Sequence, residues 1–472
     1  MNKTKMIGTV GPSSNDYFII KDMILSGVDV IRINMSYASI DFARRVILDV
    51  RKIDLENNIE TGIMLDTRGP ELRIGGLEKP YIKLEKNKMV KIVCSDIIGN
   101  KDMISVSNKD IIIHSTVGDF IYLNNAEVKL EVVDKTDELL MCLIKNDGII
   151  ISESTINVPS VSINLKFLSN YDIEVIKFAK EMQVDYIALS HVKEEMDILD
   201  VNDLLIELND NDIQVLSKIE NKYAISQIDK IIKASDGIII SRGDLGIEMG
   251  VEKVPVIQKK LIKLVKENEK IAVVATEMLA SMGENSKPTR AEVSDVANAV
   301  LDKTDALMLG AETATGVFPV EAVKTMNKII DEIESEIDYN DLLLEINRSE
   351  EISISKAIAY SSVDSANRVK ASSIVCSTLS GRTAKVISNY RPSCPVIAIS
   401  PSSKVVRGLS INYGIIPVSV GIAESTDELV EMSLKSAKKH LNLKEKDKVV
   451  IVGSFPLKSI NYTNFMKIEE IK

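Results

Sequence analysis

Residues 215–248, VLSKIENKYAISQIDKIIKASDGIIISRGDLGIE, decide the fold. Two short apolar runs, 213–216 and 237–240, flank a segment of helical periodicity, and each runs directly into charged residues. The pattern reads as strand, loop, helix, strand, loop. Ser217, Lys218 and Glu220 follow the first run and Arg242, Gly243 and Asp244 the second, so all six are expected at the C-terminal ends of strands in a parallel sheet. That edge is where parallel α/β folds bind their ligands.

Glu220 and Asp244 are hard oxygen donors at the ends of neighbouring strands, a pair suited to Mg²⁺ that completes its shell with water and phosphate oxygens. Lys218, on the same rim, offers a fixed positive charge to the same anion. The competing reading is an ordinary salt bridge between Lys218 and one of the two carboxylates. Gly243 weighs against it, because a glycine beside the acid lets backbone N–H groups approach an anion closely.

Outward from this stretch, short apolar strands recur at 6–10, 30–33, 62–65, 186–189, 213–216, 237–240, 271–275 and 306–309, with amphipathic helices between them. Eight strands in that rhythm predict a (β/α)₈ TIM barrel rather than an open sheet. Their C-terminal ends carry Arg32, Asn34 and Ser36, then Asp66 and Thr67, Ser190, Lys218 with Glu220, Asp244, Thr276, and Glu312 with Thr313. Polar groups converging at one end of successive strands read as an active-site rim.

The catalytic barrel is expected to comprise residues 1–69 and 166–337. Between its parts, 70–165 loses helical periodicity and shows alternating β-branched segments with Asn, Asp and Gly turns, predicting a small inserted all-β barrel domain. Hinged at the rim, such a domain could act as a lid that excludes water. Residues 320–337, behind Pro319, form the last barrel helix. An acidic connector follows at 338–351, and 352–472 reads as a separate α/β domain with strands at 374–377, 396–399, 416–420 and 449–452. Ser425 with Glu428 marks a helix start there.

The chain has 472 residues, 45% hydrophobic and 27% charged, which is the composition of a globular protein of several domains. A net charge of −11 disfavours nucleic acid or an anionic membrane as the main partner, so an anionic substrate needs a local metal, Lys or Arg. Cys94, Cys142, Cys376 and Cys394 are far apart and lack C-x-x-C spacing, as in a cytoplasmic protein with reduced thiols. His114, His191 and His440 are too scattered for a zinc site. No apolar signal segment or run of 18 apolar residues is present.

The motifs TKMIGTVGPSS, VDVIRINMS, MLDTRGPELR, VDYIALS, LSKIEN, SDGIIISRGDLGIE, VATEMLASM, PTRAEVSDVANAVLD and STLSGRTAKVISNYRP occur in order along essentially the whole chain. Together they resemble the pyruvate kinase family. The resemblance implies phosphoryl transfer from phosphoenolpyruvate to ADP, followed by protonation of the enolate to pyruvate, the last step of glycolysis. By match to the family's motifs, Lys218 stabilises the transferring phosphoryl group and Glu220 and Asp244 hold the divalent metal, Mg²⁺ or Mn²⁺. Arg32 contacts phosphate, Asn34 and Arg73 belong to the nucleotide side, and Gly243 and Thr276 line the substrate pocket. Thr276 and Ser294 match a hydroxyl pair linked through water to enolate protonation. Asn34, Ser36, Asp66 and Thr67 match the monovalent-cation ligands, and Glu71 matches the residue of K⁺-dependent members, so K⁺ dependence is expected. Thr378, Ser380, Arg382 and Thr383 resemble an effector-phosphate loop for a sugar phosphate or nucleotide, with a plain strand-to-helix turn as the alternative. A homotetramer in the cytoplasm, without nucleic acid or membrane partners, is what the family implies.

Several positions depart from the family's pattern. Tyr37 and Ala38 replace the histidine and glycine of N-F-S-H-G, Ser154 replaces the lysine of K-G-V-N, and Glu277 replaces the glutamine of A-T-Q-M-L. His191 stands for the phenylalanine of L-S-F-V-R, and Gly310 with Ala311 for S-G in S-G-E-T-A. They leave the phosphoenolpyruvate and metal half intact and bear on nucleotide affinity and rate. Thr289 with Glu292 also has a structural reading, as a capping box. The alternatives are a catalytically weakened relative that binds phosphoenolpyruvate or a sugar phosphate as a sensor, and another enolate-handling barrel such as an aldolase or lyase.

Overall fold

The computed structural model describes residues 2–70, 72–124, 126–159, 161, 166–210, 212–346, 353–456 and 463–471. Two compact units divide the chain, Met1–Arg68 with Asn170–Lys472, and Gly69–Ser169.

The larger unit contains a closed barrel of eight parallel strands, β1 (Lys5–Val10), β2 (Val30–Asn34), β3 (Gly62–Asp66), β4 (Tyr186–Leu189), β5 (Gln214–Ile219), β6 (Gly237–Ser241), β7 (Ile271–Ala275) and β8 (Ala306–Leu309). Each strand pairs with its neighbours in chain order, and β8 closes onto β1 through Lys5↔Ala306 to Gly8↔Leu309. The strands read as continuous apolar runs because helices cover one face and barrel side chains the other. Ile7, Val30, Met64, Ala188, Leu216, Ile239, Val273 and Met308 fill the interior. Gly62 is required by packing: a Cβ there would come within 2.8 Å of the Tyr186 ring.

Two details differ from the sequence reading. β5 runs on to Ile219, so Ser217 and Lys218 are its last turns of backbone rather than the loop after it. Behind β6 there is no loop: the helix Arg242–Met249 starts at once from Ser241. A polar residue does not end a barrel strand when its side chain faces the rim, so hydrophobicity alone sets the boundary too early.

The α/β domain carries a five-stranded sheet in the order Ile415–Ser419, Val396–Ser400, Ser373–Ser377, Lys448–Gly453, Phe465–Glu470. The last strand is antiparallel to its neighbour and was absent from the sequence reading. Half of FMKIEE is charged and none of its residues is fully buried, as at a sheet edge. The last barrel helix is Pro319–Ser335, and a short helix, Tyr339–Ile346, follows in the connector. Residues 347–351 of the connector lie outside the described residues.

Residues 407–413 of this domain close the N-terminal mouth of the barrel. Arg407 pairs with buried Asp185 (3.1 Å), Tyr186 Oη donates to the Arg407 carbonyl (3.1 Å), and Ile411 packs among the barrel's interior side chains. Nearby, Arg391 and Lys266 both pair with Asp305, each at 2.8 Å. The opposite, C-terminal rim is left to the polar residues that the strands present there.

The smaller unit holds a six-stranded and a two-stranded sheet around a shared core that includes Ile82, Leu84, Val90, Ile92, Leu130, Val132 and Leu140. Alternation is visible in Leu139–Ile144, whose successive residues are half-buried and buried in turn. No described helix of the chain is long and apolar enough to cross a membrane.

Candidate active site

Lys218 sits at the centre of the rim. Its Nζ donates to Ser190 Oγ (2.9 Å) and pairs with Glu220 Oε1 (2.9 Å) and Asp66 Oδ1 (3.5 Å). Burial works against the ammonium, but Asp66 and Glu220 outweigh it and hold its pKa above the ordinary lysine value. The two carboxylates thus favour the charged form of the group. The salt bridge left open as an alternative does exist, and it belongs to a larger cluster of charge.

Asp66 anchors that cluster on its other side. Its Oδ2 accepts from Arg32 Nε (2.8 Å) and from Arg32 Nη2, a two-pronged grip, while Oδ1 accepts from Ser190 Oγ (2.9 Å). Register explains the meeting: Asn34 lies opposite Asp66 across β2 and β3, and Ala188 opposite Asp66 across β3 and β4. Arg32 also donates to Thr9 Oγ1 (2.9 Å).

Glu220, only 3% exposed, accepts from Lys218 Nζ and Ser241 Oγ (3.2 Å) on Oε1 and from His191 N (2.7 Å) on Oε2, with His191 Nδ1 3.1 Å from the same Oε2. Burial alone would raise its pKa; Lys218 and then His191 pull it well below the usual carboxylate range. Asp244, in the first turn of Arg242–Met249, moves the opposite way, raised first by burial and next by the charge of Glu220. Two neighbouring carboxylates, one destabilised by the other, form a donor set that a divalent cation relieves. Among the described residues there is no group of three or more His, Cys, Asp and Glu able to hold a metal alone. Two carboxylates suit a hard ion such as Mg²⁺ that takes its other ligands from water and substrate.

Thr276 and Glu277 follow β7 with φ of 69° and 53°, two consecutive non-glycine residues in the left-handed region. Such backbone persists only where its surroundings hold it. Arg242 does so: Nε and Nη2 donate to the Thr276 carbonyl (3.1 and 2.9 Å) and Nη2 to the Glu277 carbonyl (2.7 Å), while Nη1 pairs with Asp295. Thr276 Oγ1 in turn accepts from the Gly243 N–H (2.8 Å). Gly243, Asp244 and Thr276 are thereby brought together.

Asn34, Ser36, Asp66 and Thr67 stand where β2 and β3 end, with Asn34 opposite Asp66; Asn34 Oδ1 accepts from the Ser36 N–H (3.0 Å) as a turn former, and Thr67 Oγ1 donates to the Ala188 carbonyl (3.3 Å). Glu71 lies outside the described residues. Ser294 is exposed on the first turns of Arg290–Leu301 and is not hydrogen-bonded to Thr276. Thr289 and Glu292 form the capping box of that helix, and Glu292 also receives the Ser281 N–H (2.7 Å). Arg73 and Ser154 belong to the smaller unit, where Arg73 Nη1 donates to the Glu153 carbonyl (2.8 Å) and Ser154 is buried. Tyr37 is 75% exposed. In the α/β domain, Thr378 Oγ1 accepts from the Gly381 N–H (2.9 Å) and Thr383 shares a hydrogen bond with Thr463 (2.7 Å). Ser380 and Arg382 are exposed at the start of Arg382–Asn389.

Residues 1–323 match the family model for the pyruvate kinase barrel domain, and residues 356–469 the model for the pyruvate kinase alpha/beta domain. The chain belongs to the pyruvate kinase family. A pyruvate kinase of Clostridium perfringens is 36% identical over 474 residues, covering the whole of both chains. One of Sporosarcina psychrophila is 37% identical over all of this chain and 81% of its own length, and one of Geobacillus stearothermophilus 36% identical over 99% of this chain and 80% of its own. Pyruvate kinases are phosphotransferases acting on phosphoenolpyruvate and ADP, and the family uses a divalent metal and K⁺.

Three residues of the pyruvate kinase rim escaped the sequence reading in role. Arg242 was placed at the strand end without its task as a clamp on two carbonyls, Ser241 without its bond to Glu220, and Asp295 not at all. Backbone acceptors leave no trace in side-chain patterns. Arg242 directly preceding Gly243 and Asp244 was the one available signal.

Proposed function

We propose that this chain makes pyruvate and ATP from phosphoenolpyruvate and ADP at the C-terminal rim of its barrel, with Lys218 as the cation that meets the migrating phosphoryl group. The observation that carries this reading is the cluster of Lys218, Arg32, Asp66 and Glu220 beside Asp244. Phosphoryl transfer requires positioning and charge stabilisation more than covalent participation by the protein. Lys218 and Arg32, held by Asp66, present fixed positive charge that needs no reorganisation as negative charge develops on the equatorial oxygens.

Glu220 and Asp244 would hold the divalent cation, which supplies further neutralisation of phosphate charge. Gly243 allows the substrate to approach the backbone beside Asp244, and Thr276 orients that backbone through its hydroxyl. Thr276 and Ser294 stand as candidates for guiding the proton to the enolate. Asn34, Ser36, Asp66 and Thr67 offer a set of weak oxygen donors suited to K⁺. On the nucleotide side we place Asn34 and Arg73, by their match to the family's motifs. Thr378, Ser380, Arg382 and Thr383 would receive the phosphate of an effector, and the assembled enzyme would be a cytoplasmic homotetramer.

The sensor reading is not favoured, since relatives named pyruvate kinase match the chain over its whole length. One coupled assay with phosphoenolpyruvate, ADP, Mg²⁺ and K⁺ tests the proposal by following pyruvate. ADP-dependent pyruvate is the expected result. Binding of phosphoenolpyruvate without turnover would support the sensor, and pyruvate formed without ADP would support a lyase or phosphatase.

A further inference from the structure

The side chain of Glu220 ends in a carboxylate whose rotation about its last bond is soft, because terminal sp³–sp² torsions have broad minima. Its two oxygens are secured differently. Oε1 is shared between Lys218 on β5 and Ser241 on β6. Oε2 faces His191 alone among the described residues: it accepts from the His191 N–H at 2.7 Å, and the His191 Nδ1 lies 3.1 Å away. His191 achieves this double approach with a left-handed backbone, φ 59°, immediately after Ser190. A carboxylate only accepts hydrogen bonds, so a bond from the ring at this distance requires the proton on Nδ1. The backbone N–H remains whatever the side chain, so the contribution of the ring can be measured separately.

We propose that His191 is a positioning residue for the metal site: its Nδ1–H fixes the plane of the Glu220 carboxylate so that Glu220 and Asp244 present their oxygens to one divalent cation. The inference rests on the reading of Glu220 and Asp244 as the metal carboxylates. Hydrogen-bond partners of metal-ligating side chains commonly contribute tenfold or more to affinity by orienting the ligand. The ring is 29% exposed while Glu220 is 3% exposed, so the bond lies at the edge of the site, where its removal need not disturb the core.

The test measures Mn²⁺ binding directly, by the electron paramagnetic resonance of the free ion, in the absence of substrates. His191→Phe keeps a ring and removes the donor; its affinity for Mn²⁺ is expected to fall by about tenfold. His191→Asn places an amide N–H near the position of Nδ1 and tolerates the left-handed backbone, so it is expected to recover most of the loss. His191→Gln extends its amide to the position of Nε2 and is expected not to. In turnover, the Phe variant should need more Mg²⁺ for half activation while keeping its kcat at saturating Mg²⁺. Unchanged Mn²⁺ affinity in His191→Phe would overturn the proposal, as would recovery by Gln rather than Asn, or equal losses in Asn and Phe. Glu220→Gln separates the two levels: if it binds Mn²⁺ normally the metal-site reading itself fails, and if it loses binding while His191→Phe does not, only the role of His191 fails.

Discussion

Replacing Lys218 with methionine keeps the length of the side chain and removes its charge from the rim. The ammonium lies 2.9 Å from Glu220 and 3.5 Å from Asp66, two carboxylates with 3% and 0% of their side chains exposed. Deleting one partner of a buried pair costs about 3–5 kcal/mol of stability. Here the lower end is expected, about 3 kcal/mol, because Arg32 still covers Asp66 and His191 and Ser241 still reach Glu220. The catalytic loss is separate. A preorganised donor facing charge that develops in the transition state is worth about 3–4 kcal/mol, so kcat should fall on the order of a hundredfold to a thousandfold. Initial rates at saturating phosphoenolpyruvate, ADP, Mg²⁺ and K⁺ give the second number, and urea unfolding gives the first. Turnover near that of the wild type, in a variant that still binds divalent metal, would remove Lys218 from the mechanism and leave it a structural ion pair.

Substituting tetramethylammonium for K⁺ is expected to abolish most turnover; full activity there, or in Na⁺ alone, would refute the cation site at Asn34, Ser36, Asp66 and Thr67. Arg242→Ala removes the clamp on the left-handed pair Thr276 and Glu277. With hydrogen bonds from a charged donor worth about 1.5–3 kcal/mol, kcat/KM for phosphoenolpyruvate should fall at least tenfold, and an unchanged value would show that the pair holds itself. Away from the site, burial raises the Asp54 carboxyl from its ordinary 3.8 to about 6. A raised acid binds its proton more tightly in the folded state, so this contribution is complete below pH 3.8 and is lost as pH rises through about 6. Asp54→Asn should therefore flatten the stability profile between those values, by about 3 kcal/mol in all, as measured by urea unfolding at pH 4 and pH 7. An identical pH slope in the variant would place the slope elsewhere.

The barrel was legible because its strands are buried on both faces, and runs such as GIII and IAVVA are apolar throughout. The rim was legible for a related reason, since Lys218, Glu220 and Asp244 interrupt those runs with charge that a core would not tolerate unpaired. What stayed hidden depends on contacts distant in sequence. Nothing in the neighbourhood of Arg407 or Ile411 indicates that they meet Asp185 and Tyr186, more than 200 positions earlier. Nor does Arg242 reveal that its acceptors are carbonyls at 276 and 277. The strand Phe465–Glu470 was missed because half of its residues are charged and none is fully buried, which leaves no apolar run to read.

Since Arg407, Ser410 and Ile411 stopper the barrel from below, a fragment ending at the last barrel helix would be an unplugged tube. Water would reach Met64, Tyr186 and Ala188, and Asp185 would lose one of its two arginines while keeping Arg51. Trimming the chain after residue 337 would leave that apolar interior without the residues that cover it.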